Sequence, residues 1–241
     1  MDAARYREFP APPGSGLACL WTQELPGGAE RPYPHRVVPD GCVDLIWWSR
    51  DGAIMVAGPD TGPNPATLLP GDRLVGVRFR PGTAPPVLGV PSDAVRDGRP
   101  PLRELWGADA DRLAEAVAAS GDPHGTLVRA VLARATSDPD PLVPAIVDGL
   151  RSRTVREVAD DIGLGDRQLR RRSLAAFGYG PKTLQRVLRF QRALAMARAG
   201  RPLADVAYAT GYADQAHMAN EVRALAGTPI RALLQPGTPG G

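Results

Sequence analysis

Val155-Arg-Glu-Val-Ala159-Asp-Asp-Ile-Gly163-Leu-Gly-Asp-Arg-Gln-Leu169-Arg-Arg-Arg-Ser-Leu-Ala-Ala-Phe177-Gly178 and Leu203-Ala-Asp-Val-Ala207-Tyr-Ala-Thr-Gly211-Tyr-Ala-Asp-Gln-Ala-His-Met218-Ala-Asn-Glu-Val-Arg-Ala-Leu225-Ala-Gly227 repeat one pattern. Each copy is a short helix with a small Ala, a Gly four residues later, and a second helix. Ala159 to Ala207 and Gly163 to Gly211 are both offsets of 48 residues. The Ala is small where two helices must cross closely. The Gly stands where the first helix stops and the chain needs positive φ, which Gly accepts at little cost.

The second helix of each copy needs one apolar stripe to hold it down. Leu169 and Phe177 supply it in the first copy; Met218, Val222 and Leu225 supply it in the second. The opposite side is left for a partner. In the first copy it carries Arg167, Gln168, Arg170 and Arg171, with Arg172 close by; in the second it carries Gln215, Ala216, His217 and Asn220. A helix of this kind fits the major groove of double-stranded DNA, where Arg pairs with guanine and Asn or Gln with adenine. A solvated Arg face is the competing reading of Arg170–Arg172, and the second copy weighs against it.

Lys182 to Ala199 reads as one amphipathic helix, started after Pro181 and ended by Gly200 and Pro202. About seventeen residues at 1.5 Å each span roughly 25 Å, a strut able to hold two recognition helices near one DNA turn apart, about 34 Å. Its arginines meet phosphates or solvent. Thr154 and Glu157 form a capping box at the start of the first copy.

The stretch from Pro141 to Leu234 resembles the DNA-binding region of AraC-type transcription regulators, above all in Gly211-Tyr-Ala-Asp214-Gln-Ala-His217-Met218. The extra residue in the second turn relative to the first is part of the likeness. Three departures stand out. Gly165 occupies the place of a capping Ser or Thr, so Asp166 is expected to cap instead. Ser173 stands where an aromatic is usual, and Gly227-Thr228-Pro229 is one residue short.

The charge is divided between the halves. From Asp140 onward there are 15 Lys+Arg against 9 Asp+Glu, while the whole chain is only +3. A basic C-terminal region beside an acidic N-terminal one suits nucleic-acid binding by the former. No apolar run is long enough to span a membrane and no apolar signal region opens the chain, so the expected location is cytoplasmic. Cys19 and Cys42 are too few for a disulfide scaffold.

From Arg36 to Phe79, short apolar runs alternate with Pro/Gly/Asp turns, as in an antiparallel sandwich or small barrel. Strands are expected at Leu17–Trp21, Arg36–Val38, Cys42–Trp48, Ala53–Ala57, Ala66–Leu69 and Leu74–Phe79. Helical segments follow at Leu102–Trp106, Asp109–Ala119 and Asp122–Ala135, the last capped by Asp122 before Pro123. Pro39-Asp-Gly-Cys-Val-Asp-Leu-Ile46 and Gly76-Val-Arg-Phe-Arg-Pro-Gly82 resemble the N-terminal domain of a subset of AraC-type regulators, which implies a cupin-like fold for sensing.

Alternation places Asp44, Ile46 and Trp48 on one face of their strand and Val43, Leu45 and Trp47 on the other. Asp44, Trp48, Arg78 and Arg80 are the candidate ligand-binding residues. Three His, scattered at 35, 124 and 217, give no metal set, and Cys42 beside Asp40 and Asp44 reads as an inert thiol. No catalytic residue and no cofactor is expected.

The fold class is α+β, with a β-rich domain over 1–138 and an all-α double helix-turn-helix domain over 139–241. The function expected is a sequence-specific DNA-binding regulator, not an enzyme, responsive to an unknown small-molecule effector. RNA polymerase and a second copy of the chain are admitted as further partners. A cupin-like small-molecule enzyme with an incidental basic domain is the alternative, and a non-specific DNA binder is another.

Overall fold

A computed structural model describes residues 4–234; the first three and last seven residues of the two expected domains lie outside the described residues. The N-terminal strands are β1 (Arg5–Pro10), β2 (Leu17–Glu24), β3 (Tyr33–Val37), β4 (Val43–Trp48), β5 (Ala53–Ala57), β6 (Asn64–Leu68) and β7 (Arg73–Phe79). Five of them form an antiparallel sheet in the order β1-β2-β7-β4-β5, and β3 pairs with β6 in a separate ribbon. The β-rich half is therefore a sandwich with one short layer. Strand β1 was not legible in the sequence because it is an almost wholly exposed edge of charged residues and a Pro, the composition that keeps edges from pairing with other chains.

The sheet is covered on both faces, and its pleat decides what meets each cover. Val43 and Leu45 on β4, Val75 and Val77 on β7 and Ile54 and Val56 on β5 enter one core with the helices α1 (Pro85–Leu88), α2 (Arg103–Trp106), α3 (Ala108–Ala119) and α4 (Pro123–Arg134). Trp47 packs against the same core. The other face turns Trp21, Ile46, Trp48 and Leu74 toward Leu68 and Tyr33 of the ribbon. Asp122 caps α4, its Oδ1 accepting from the Gly125 N–H at 2.9 Å.

The C-terminal half is helical: α5 (Val143–Leu150), α6 (Val155–Asp161), α7 (Asp166–Phe177), α8 (Pro181–Arg198), α9 (Leu203–Ala209) and α10 (Gln215–Ala226). The capping box forms at the start of α6, with Thr154 Oγ1 accepting from the Glu157 N–H at 3.2 Å and the Thr154 N–H donating to Glu157 Oε2 at 2.7 Å. Gly163 and Gly211 both take positive φ, at 66° and 78°. Helix α8 divides its buried face. Leu184, Val187 and Leu188 complete the core of α5–α7, and Phe190, Ala193, Leu194 and Ala197 complete that of α9 and α10.

Gly76 matters for a close approach. It lies opposite Trp21 in the β2–β7 register, and a Cβ there would stand 2.2 Å from the indole Cε2. Its absence lets the indole pack against β7 and donate from Nε1 to Asp44 Oδ1 at 3.1 Å. Gly76→Ala should therefore displace Trp21 and cost about 1–3 kcal/mol, the usual range for overpacking. Urea unfolding checks this; an unchanged midpoint would contradict the packing described.

Candidate nucleic-acid interface

Helix α7 begins at Asp166, but Asp166 is not its cap. Gly165 takes the N-cap position, and its N–H donates to Gln168 Oε1 at 3.2 Å. That bond is only the reciprocal half of a capping box: no side chain caps the first-turn N–H groups, and Asp166 stays in the first turn, where its charge suits the helix dipole. Gln168, expected on the DNA side, has its carbonyl engaged in this way. Leu169, Ser173, Ala176 and Phe177 are buried, while Arg167, Gln168, Arg170 and Arg171 are exposed. Among the described residues none of Arg167, Arg170 and Arg171 has an ion pair. Arg172 differs: it pairs with Asp140 just before α5, and so braces the helix.

Helix α10 is capped by Asp214, whose Oδ1 accepts from the His217 N–H at 2.7 Å. Met218, Val222, Leu225 and Ala226 are buried, and Gln215, Ala216, His217 and Asn220 are exposed. His217 is oriented from two sides. Its Nδ1 accepts from the Ala213 N–H at 3.2 Å, and its ring meets Tyr212 edge-on at 5.5 Å. Because Nδ1 is an acceptor, the neutral ring carries its proton on Nε2, which makes Nε2 a donor suited to a base or phosphate oxygen.

Two arginines of α8 have roles the sequence did not disclose. Arg186 grips Glu221 of α10 at 2.9 and 3.3 Å, and this hydrogen bonding holds the Glu221 carboxyl below its usual range. Arg189 lies over the Tyr212 ring at 4.8 Å and its Nη1 donates to the Gly211 carbonyl at 3.4 Å. Both fix α10 and its turn against the strut.

The N-terminal half reaches the ends of both exposed helices. Ser92, in a 3-10 turn at Ser92–Val95, donates from Oγ to the Ala176 carbonyl at 2.8 Å. Arg96 Nη1 donates to the Gly178 carbonyl at 3.0 Å. Gly178 and Gly227, the left-handed caps of α7 and α10, lie against two prolines of the β5–β6 loop. A Cβ on Gly178 would stand 2.5 Å from Pro59 Cγ, and one on Gly227 3.1 Å from Pro63 Cγ. Further along, Gln191 Nε2 donates to the Pro39 carbonyl at 2.6 Å, and Val38 enters the core of α8–α10. Asp93 lines an open groove with Arg167, Gln168, Arg170 and Arg171.

The paired helices with solvent-facing arginines and amides have a counterpart among known families. A family described as a helix-turn-helix domain matches residues 158–235, and one described as a domain of unknown function matches residues 15–101. The C-terminal half thus carries a helix-turn-helix domain over residues 158–235. No curated protein matches the chain. Similar solved structures include ToxT from Vibrio cholerae, at 12% identity over 88% of this chain and 98% of that one, with a TM-score of 0.45. Another is the unsaturated-fatty-acid-bound wild-type ToxT of the same organism, at 10% identity over 85% and 94% of the two chains, with a TM-score of 0.44.

Away from the helix-turn-helix domain, the sheet and the ribbon enclose a cavity of about 320 Å3. Of the residues singled out in the sequence, Asp44, Trp48 and Arg78 line it. Arg80 does not. It lies exposed past the end of β7, its Nε donating to the Leu17 carbonyl at 3.1 Å, because the strand stops at Phe79 and alternation stops with it. Arg78 Nε bonds Asp44 at 3.1 Å, and its Nη1 stands 3.6 Å from Asp40. His35, which no local pattern marks, lines the cavity beside Gln23, the two side chains meeting at 3.1 Å. Burial, and secondarily Arg78, pushes the His35 imidazole down to about 4. Burial and the Asp40 charge push the Cys42 thiol up, in keeping with an inert cysteine. Among the described residues no helix is long and apolar enough to cross a membrane.

Two measurements follow from this geometry. Gly211→Ala meets nothing within 4 Å and should cost about 1 kcal/mol for the left-handed backbone alone, whereas Gly178→Ala adds the clash with Pro59 and should cost clearly more. Equal losses on urea unfolding would show that Pro59 does not press on α7. The second concerns pH. A His35 depressed in the folded state is protonated first in the unfolded chain, so the stability it contributes is present above about 6.5 and lost as pH falls toward 4. His35→Gln should flatten that decline, which is on the order of 3 kcal/mol for a shift of this size; an unaltered slope between pH 6.5 and 5 would contradict the burial argument.

Proposed function

We propose that the chain is a sequence-specific transcription regulator that lays α7 and α10 into successive major grooves of one DNA duplex. Arg167, Gln168, Arg170 and Arg171 are the contacts of the first helix, and Gln215, Ala216, His217 and Asn220 those of the second. Residues 139–241 bind DNA, and residues 1–138 sense a small molecule in the cavity that Asp44, Trp48 and Arg78 line. A second copy of the chain and RNA polymerase are the further partners of this reading. One observation carries it: both helices bury their apolar stripes and leave their Arg, Gln, His and Asn side chains in solvent.

Bidentate contacts to bases contribute about 1–3 kcal/mol of discrimination each. Arg171→Ala should therefore weaken binding to a selected DNA site by about that amount, measured by band shift against random competitor at fixed salt. Unchanged affinity and selectivity would remove Arg171 from the interface. Wild-type binding that falls steeply with salt and ignores sequence would instead mark a phosphate-only binder.

A further inference from the structure

We propose that the cavity between the sheet and the ribbon takes an uncharged, planar aromatic molecule. The inference deepens the sensing role proposed above and rests on it. The cavity, about 320 Å3, is at the small end of the ~300–1,000 Å3 typical of ligand sites.

Its walls supply the first argument. Trp21 packs over Gly76, Tyr6 packs against it at 6.0 Å between ring centroids, and Trp48 borders the same space with Ile46 and Leu68. Ring faces of this kind gain most from stacking and edge contacts with another ring.

Charge supplies the second. Every buried ion on the lining already has its partner. Arg78 is shared by Asp44 and Asp40, and Arg99 holds Asp60 with bonds of 3.0 and 2.6 Å. The two carboxylates on Arg78 are further satisfied by the Trp21 Nε1–H and the Cys42 N–H. An anionic ligand would face Asp44 and a guanidinium already shared between Asp44 and Asp40, and a cationic ligand would find Asp44 occupied. Burying either costs several kcal/mol without a partner. Arg36, the remaining cation on the lining, is exposed at the rim, where water screens it.

The third argument is a neutral anchor. His35 is held by Gln23 through Nδ1, and its burial keeps it uncharged near neutral pH. Its Nε2 makes no hydrogen bond among the described residues. One polar atom of a ligand can be fixed there without a charge on either side.

The test is calorimetric titration of the full-length protein with four probes of similar size: 3-ethylindole, indole-3-acetate, tryptamine and 1-octanol. The neutral indole should bind at least tenfold more tightly than either ion and more tightly than the alcohol. Ala66→Phe, which fills the cavity, and His35→Ala, which removes the anchor, should each weaken it at least fivefold. Equal binding of the acid or the amine overturns the charge argument, equal binding of octanol overturns the aromatic one, and no binding by any probe overturns both. Binding that survives in a folded variant of either kind places the site elsewhere and also overturns the proposal. The DNA-binding reading fails separately, through the Arg171→Ala band shift without ligand, and that outcome leaves the calorimetry untouched.

Discussion

Helix α8 is the element on which both helix-turn-helix units depend. Neither pair of short helices encloses a core by itself. The first half of α8 closes one core through Leu184, Val187 and Leu188, and the second half closes the other through Phe190, Leu194 and Ala197. Burial of those side chains, each on the order of 1.5–3 kcal/mol for a large aliphatic or aromatic group, makes the two units one rigid body. Arg186 on Glu221 and Arg189 over Tyr212 add polar ties that set the angle of α10. The spacing of the two exposed faces is thus a property of a continuous helix rather than of a linker.

A second constraint couples that body to the β-rich half. One loop, between β5 and β6, presses Pro59 against the cap of α7 and Pro63 against the cap of α10. The same loop is anchored inside by Asp60 on Arg99 and runs directly into β6, whose residues line the cavity. Strand β6 thus follows, within a few residues, the two prolines that meet the C-terminal caps of α7 and α10. In the proposed function, a change of cavity shape acts on the seat of the whole helical body against the β-rich half, leaving the spacing set by α8 intact.

The helical half was legible because its repeat is carried by residue types with single physical uses: small Ala at a crossing, Gly at positive φ, apolar residues at helical spacing. The bounds of α7 followed directly, as did the exposure of Arg167, Arg170 and Arg171. Alternation likewise separated Asp44 and Trp48 from Leu45 on β4, and the structure puts the first pair on the cavity and Leu45 in the core. What stayed hidden depends on distant partners. No local pattern tells an arginine that grips Glu221 from one that faces solvent. None announces that Gln168 will reach back to the Gly165 N–H, that Pro59 and Pro63 will meet two glycine caps, or that His35 will be buried beside Gln23. Strand β1 was lost because an exposed edge strand lacks the apolar period that marks a strand at all. Arg80 was misplaced because alternation was carried one residue past the end of β7.

The central claim is that one chain reads two adjacent major grooves through a pair of helices held by α8. The most direct measurement is guanine N7 methylation interference on a DNA site selected from random sequence. The account predicts two clusters of major-groove interference, about 10–10.5 base pairs apart, on one face of the duplex. A single cluster, or interference scattered without regard to sequence, would contradict it.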